Sequence, residues 1–312
     1  MRSRYRPTLA AVAATAVLLT LTACGGGNDQ TDQGGSSGDQ AQAGLELNKK
    51  LHNKLPADIK KSGQLTSVMS GAFPPYTIPR QGGQQFTGAA IDLQEAIGTV
   101  LGVKIKTASV EGLSGVLSGL QSGRYDFAMG PIGDYADRRG SHDFVDYVQE
   151  FVAFLVPKGN PRHIGSLADT CGLKVAVQAG GSAEAVVKQQ SKQCVKDGKE
   201  AVNVKSFKDQ PSSTLSVKAG RTDAFFSSQA PLVYYAHQTN GQLTVVAKGK
   251  PNGFEPIRQG AVMPKGSPLT KIVLQALKKV FQNGTYAKIM KKYGLQDEML
   301  DKPGINLGAS HE

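Results

Sequence analysis

The sequence predicts an α/β protein of two similar lobes, and three observations carry that prediction. Strand-like and helix-like segments alternate along most of the chain, the pattern of largely parallel sheets covered by helices. A short pattern occurs twice: Leu120-Gln121-Ser122-Gly123-Arg124-Tyr125-Asp126-Phe127 and, 97 residues later, Val217-Lys218-Ala219-Gly220-Arg221-Thr222-Asp223-Ala224. Each copy ends a helix, turns at Gly-Arg and sends an aspartate into an apolar strand. Such a turn is also a common route from helix to strand, so repeated architecture and coincidence both remain open. Without its first 44 residues the 312-residue chain keeps 268, enough for two cores rather than one.

Taken in order, the chain opens with Arg2, Arg4 and Arg6, then an apolar run from Leu9 to Leu21 that is short for a membrane span. A basic start, an apolar middle and small residues before a cut site predict a secretory signal over residues 1–23. Leu21-Thr22-Ala23-Cys24 resembles the bacterial lipobox, which implies that Cys24 becomes the lipidated first residue on the outer face of the cell membrane. Residues 24–44 carry the anchor and a tether without large apolar side chains. Beyond it, Leu65 to Ser70 reads as a strand. Leu93, Ala96, Ile97, Val100 and Leu101 mark an amphipathic helix capped by Asp92. Leu113, Val116, Leu117 and Leu120 mark a second helix, stopped at Gly123, and Tyr125 to Met129 a buried strand. Leu173 to Val177 is a strand, and Ser182 opens a helix with Glu184 in its first turn. The last helix starts at Ser267-Pro268 and shows the stripe Leu269, Ile272, Val273, Ala276, Leu277, Val280 and Phe281.

Formal charge is +11, and +8 once Arg2, Arg4 and Arg6 are set aside, leaving 33 basic against 25 acidic residues. The lysines are scattered, tryptophan is absent, and basic and aromatic residues do not interleave. The basic excess therefore reads as solvated surface, with no nucleic-acid partner. Besides Cys24 only Cys171 and Cys194 remain, and an even pair in an oxidising compartment argues for a disulfide. His52, His142, His163, His237 and His311 never fall at ligand spacing, so no metal and no cofactor is expected.

Gly71-Ala72-Phe73-Pro74-Pro75-Tyr76, the stretches Gly88 to Leu93, Leu120 to Met129 and Arg138 to Phe144, in this order and spacing, resemble the polar-amino-acid solute-binding proteins (family 3) of ABC importers. Val156 to Pro161 and Asp169 to Gln178 resemble an actinobacterial branch in which Cys171 has a downstream partner. The resemblance spans roughly residues 63–296. It implies a two-lobed, periplasmic-binding-protein-like (type II) fold with crossover strands near Phe151–Val156 and Gly260–Met263. Lobe 1 would then hold residues 45–153 and 262–312, and lobe 2 residues 154–261. It also implies a monomer that closes on a small-molecule ligand, an amino acid or related carboxylate, and docks on a permease coupled to an ATPase.

Carried over position by position, the resemblance gives Tyr76, with Phe73, as an aromatic ligand wall, and Arg138 as the grip on a carboxylate, with Arg139 as fallback. Gly130 and Gly133 fall where the family places small polar residues. In the second lobe Gln178, Gly181 and Ser182 line the site, the glycines admitting backbone and the helix start favouring an anion. Departures accompany these matches. The aspartate that grips an α-ammonium falls on Ser228, a threonine position is Tyr135, Pro131 joins the two glycines, and Ala90 stands where an acid is common. A serine does not neutralise a buried ammonium, so the ligand need not be a free α-amino acid unless Asp134 supplies the counter-ion. Two other readings stay open: a ligand-sensing lipoprotein without transport, and an enzyme like the cyclohexadienyl dehydratases, for which Asp134 and Glu184 would be the acids or bases.

Overall fold

The computed structural model describes residues 44–82, 85–254 and 257–308, which all fall in one compact unit. The signal segment, Cys24 and nearly all of the tether lie outside the described residues. Two short helices, α1 (Lys49–His52) and α2 (Ala57–Ser62), lead to strand β1 (Gln64–Met69). A hairpin, β2 (Ile78–Pro79) and β3 (Phe86–Thr87), precedes α3 (Ala89–Leu101), β4 (Lys104–Ser109), α4 (Gly112–Gln121) and β5 (Phe127–Gly133). The long strand β6 (His142–Glu150) runs through Phe151 into β7 (Val152–Pro157). Next come β8 (Lys174–Gln178), α5 (Ser182–Lys196), β9 (Asn203–Phe207), α6 (Gln210–Lys218), β10 (Ala224–Ser228), α7 (Gln229–Gln238) and β11 (Leu243–Val246). The chain finishes with β12 (Ile257–Pro264), α8 (Pro268–Gln282), α9 (Thr285–Lys292) and β13 (Met299–Ile305).

Two sheets form, in the orders β13-β6-β12-β5-β1-β4 and β11-β7-β10-β8-β9. In the first, β1 pairs in parallel with β4 and β5, and β12 lies antiparallel on β5. In the second, β8 pairs in parallel with β9 and β10, and β7 lies antiparallel on β10. The lobes therefore share one plan. Their echoed segments do the same job twice. Gly123 and Gly220 turn with φ of 70° and 67°. Asp126 then takes the Thr66 N–H at 2.6 Å and returns its own N–H to the Thr66 carbonyl at 3.0 Å. Asp223 treats Lys174 likewise, at 2.8 and 2.7 Å. Each aspartate thus clamps its strand to the start of the parallel neighbour.

One passage between sheets is the single residue Phe151. The other precedes Ile257, not Gly260–Met263 as the resemblance implied, because those residues already sit in the first sheet, with Gly260 opposite Ile132 and Asp146. A buried apolar strand reads the same whether it crosses or is paired, so sequence did not separate the two. The strands of the second sheet lie within 152–246, and Ala247 and Phe254 pack on its core, so the second lobe is the stretch 152–254. The first is made of 44–150 and 257–308.

The first-lobe core packs α3, α8 and α9 against β1, β5 and β6, around fully buried Leu65, Leu93, Ile97, Phe127, Tyr147 and Val273. The α8 stripe is buried as patterned, except that Phe281 stays half-buried and stacks on Tyr286 at 3.6 Å between centroids. Helix α3 begins before the expected cap. Gly88 is its N-cap, and Asp92 is buried in the first turn with an ion pair to Lys292 at 2.7 Å. In the second lobe Cys171 and Cys194 form a disulfide with Cα atoms 5.6 Å apart, tying the loop before β8 to the end of α5. Among the described residues no helix is long and apolar enough to cross a membrane.

Candidate functional site

A cleft of about 140 Å³, open to solvent at its mouth, lies where the carboxyl ends of four parallel strands face each other across the lobes. Met69 and Ser70 end β1, Gly130 and Gly133 lie on β5, Gln178 ends β8, and Ser227 and Ser228 end β10. Strand ends at such a switch of direction are the usual ligand position of open α/β sheets. Val152 and Ile257, the first residues beyond the two passages, also line it, so the cleft sits on the joint itself.

Arg138 reaches into the cleft from the loop after β5. One guanidinium nitrogen donates to the Gly133 carbonyl at 2.9 Å and the other to the Ser182 hydroxyl of the opposite lobe at 3.4 Å. Its guanidinium carbon stands 4.8 Å from the centre of the Tyr135 ring. Burial pulls the Arg138 pKa down, opposed by Tyr135, Asp137 and Asp134. No acidic residue forms a salt bridge with it among the described residues. Neighbouring Arg139 holds Asp134 instead, Nε to Oδ1 at 2.6 Å. Asp134 also accepts the Gly308 N–H at 2.7 Å. Its carboxylate is therefore committed away from the cleft, which it does not line, and it does not supply the missing counter-ion. Glu184 is likewise off the cleft. Hydrogen bonds from Lys188, Ser206 and the Gly180 N–H push its pKa down to about 2. A carboxylate so held is no general acid near neutral pH.

The second lobe contributes Gln178, Gly181, Ser182 and Ser228 to the lining, as expected from sequence. Gly181 is the N-cap of α5, so the helix starts at the cleft wall, and its leading N–H groups have no intrahelical acceptor. On the first-lobe side Phe73 lines the cleft, fixed by a loop in which Thr77 Oγ1 donates to the Gly71 carbonyl and accepts the Phe73 N–H, both at 2.9 Å. Tyr76 does not. It is fully buried in the first-lobe core, and its carbonyl accepts the Ala90 N–H at the start of α3 at 3.0 Å. Gly130 borders the cleft with free space where a Cβ would stand, whereas a Cβ on Gly133 would run into the Tyr135 ring.

Three residues with no sequence signal complete the wall. Tyr135, known from sequence only as a departure, packs on Phe254 at 6.4 Å and so reaches the second-lobe core. Gln210, the first residue of α6, is 1% exposed, and Gln259, on β12, is 5% exposed. Both line the cleft, and the Oε1 of each is buried with no hydrogen-bond partner. Glutamines at a helix start or in a strand belong to no motif. Only the tertiary fold reveals them.

Known proteins match this arrangement. The model of bacterial extracellular solute-binding proteins, family 3, matches residues 65–296. The arginine-binding protein ArgT of Corynebacterium glutamicum is 27% identical over 81% of this chain and 81% of its own. The L-cystine-binding protein TcyA of Bacillus subtilis is 26% identical over 90% of this chain and 94% of its own. An ancestral arginine-binding protein, solved bound to arginine, superposes with a TM-score of 0.65 at 31% identity, covering 74% of this chain and 98% of that one. These relatives are binding proteins rather than enzymes. With its two-lobed fold, its interlobe cleft and a match over most of its length, this chain belongs to the bacterial extracellular solute-binding proteins, family 3, and is not an enzyme.

Proposed function

We propose that the protein is an extracytoplasmic lipoprotein that captures an amino acid or related carboxylate between its lobes and hands it to an ABC permease and its ATPase. The carrying observation is Arg138, a half-buried guanidinium without a carboxylate partner among the described residues, held between Gly133 of one lobe and Ser182 of the other. Its planar fork suits a carboxylate bidentately, and closure that excludes water strengthens the pair. The start of α5 lies beside it to share the negative charge. A solute touching both walls binds the closed form best and so shifts the population towards it. The permease would read that closed form. The names of the relatives, arginine- and L-cystine-binding proteins, support an amino-acid-like solute.

The lipobox-like Leu21-Thr22-Ala23-Cys24 supports attachment to the outer face of the membrane through acyl chains, each buried CH₂ contributing about 0.8 kcal/mol. The protein would act there as a monomer. The test is a thermal-shift panel of amino acids, their deaminated analogues, dicarboxylates and betaines. A ligand at 100 times its Kd stabilises by about 2.7 kcal/mol. A hit that disappears in Arg138→Ala supports solute capture through the carboxylate; a panel without any hit overturns it. For the anchor, Cys24→Ala should release the protein from the membrane fraction, and unchanged membrane retention would refute lipidation.

A further inference from the structure

A second groove lies between the first residues of the described chain and helix α8, and it shares no lining residue with the cleft. Its walls carry five lysines: Lys49 and Lys50 on α1, Lys54 just beyond it, and Lys271 and Lys279 on α8. All five are exposed, and so is Leu47 beside them, at 48%. On α8, Lys271, Gln275 and Lys279 recur every four residues along one exposed stripe, while the helix buries Val273, Ala276, Leu277 and Val280 elsewhere on its surface. Helix stability does not explain Lys271. It is the fourth residue of α8, near the end where the helix dipole disfavours a cation. Lys279 donates to the Gln282 amide oxygen at 3.3 Å, and none of the five forms an ion pair with an acidic residue among the described residues. Like charges gathered along one groove repel each other and attract anions.

Charge and the course of the chain together identify the occupant. The described chain begins at Gly44, twenty residues after Cys24, and Leu47 and Asn48 already line the groove. A chain of that length spans at most about 70 Å. With Cys24 acylated in the membrane, the part of the reading above on which this inference rests, the groove stays within that reach of lipid headgroups. Lysine stems lie along apolar neighbours such as Leu47 and Ile272 while their ammonium groups reach for phosphate. An acyl anchor joined to a polybasic patch also holds a membrane more firmly than either does alone. The tether carries three aspartates, Asp29, Asp32 and Asp39, too few to balance five lysines. We infer that the groove of α1 and α8 docks on the phosphate headgroups of anionic lipids, holding the first lobe against the membrane without using any residue of the cleft.

The test is lysine acylation, read by mass spectrometry, on the full chain inserted through its own amino terminus into vesicles of phosphatidylcholine or of phosphatidylglycerol. Phosphatidylglycerol should cut labelling of the five lysines by about threefold or more relative to phosphatidylcholine, an effect that salt near ~1 M removes by screening. Exposed Lys196, Lys199 and Lys218 of the second lobe should label alike in both lipids. Lys49→Gln, Lys50→Gln and Lys54→Gln together should restore labelling of Lys271 and Lys279 on phosphatidylglycerol, with melting unchanged. Labelling of the five that is alike in both lipids overturns the inference, and where it is low in both the tether is the occupant. Shielding of the second-lobe lysines to the same degree also overturns it, because the attraction then belongs to net charge and not to the groove. Protein that does not stay with phosphatidylcholine vesicles refutes the anchor. If phosphatidylglycerol still shields the five lysines in that case, the docking surface stands by itself; if it does not, both fall.

Discussion

Arg138 acts through shape as much as charge, because it already spends one nitrogen on each lobe and keeps its remaining donors for a ligand. Arg138→Ala should weaken solute binding about 100-fold or more, roughly 3 kcal/mol for a charge-assisted pair, read by calorimetry. Arg138→Lys should recover little of that, since a point charge does not reproduce the fork. The two cleft glycines should behave oppositely: Gly130→Ala leaves melting unchanged, whereas Gly133→Ala lowers it by forcing the Tyr135 ring aside. A second site at this scale lies behind Arg139. Burial, and then the neighbouring Asp134 charge, raise the Asp146 pKa to about 7, against the Leu307 N–H that lowers it. The folded protein therefore holds this proton more tightly than the unfolded chain, whose aspartate titrates near 3.9. Its contribution to stability is whole below about pH 4 and is lost as pH rises to about 7. Asp146→Asn should flatten that part of the pH–stability curve; an unchanged slope in denaturant titrations would refute the assignment. Residues were unevenly legible in the sequence. Arg138 and Ser182 sit in matching motifs. Tyr76 misled, since an aromatic after a proline turn suits a core as well as a wall, and Gln210 and Gln259 matter only through burial.

Strands and helices were more legible than single side chains, because periodicity integrates over many residues. The helices at 89–101 and 112–121 and the strands at 64–69 and 174–178 lie where apolar spacing put them, within a turn at their ends. The start of α3 was missed by four residues because a glycine cap carries less signal than an aspartate that happens to follow it. The paired clamps give a symmetrical prediction. Asp126→Ala and Asp223→Ala each leave a strand N–H without its acceptor, at Thr66 and Lys174, and should each cost about 1–3 kcal/mol. Hydrogen exchange should show the loss in the first lobe for Asp126 and in the second for Asp223. The disulfide belongs to this scale as well. Closing 23 residues stabilises by about 3 kcal/mol in the chain-entropy model, so Cys171→Ala with Cys194→Ala should lower unfolding stability by that order.

At the scale of the molecule, the joint is stitched where β6 ends. The Gln229 N–H donates to the Phe151 carbonyl at 2.8 Å, and Glu150 Oε1 accepts the N–H groups of Phe151 and Ala230, each at 3.2 Å. Burial, then Glu298, pushes the Glu150 pKa well up. The start of α7 is thereby fastened to the first lobe, a fixed pivot about which the cleft walls approach. Solute should contract the molecule in small-angle scattering, and unchanged dimensions at saturation would refute closure. Phe151 as one passage was legible from the resemblance; the other was not, because burial hid it among paired apolar residues.

The threading of the lobes also orders their assembly in time. The second lobe is one uninterrupted stretch, 152–254, complete as soon as that length of chain is free to fold. The first must wait for β12, α8, α9 and β13 from the far end, and until they arrive β5 and β6 lack the strand that joins them. In pulse-labelled refolding, amides of β8 and β10 should gain protection before those of β5 and β6. The inserted lobe would then serve as the finished piece around which the divided lobe closes.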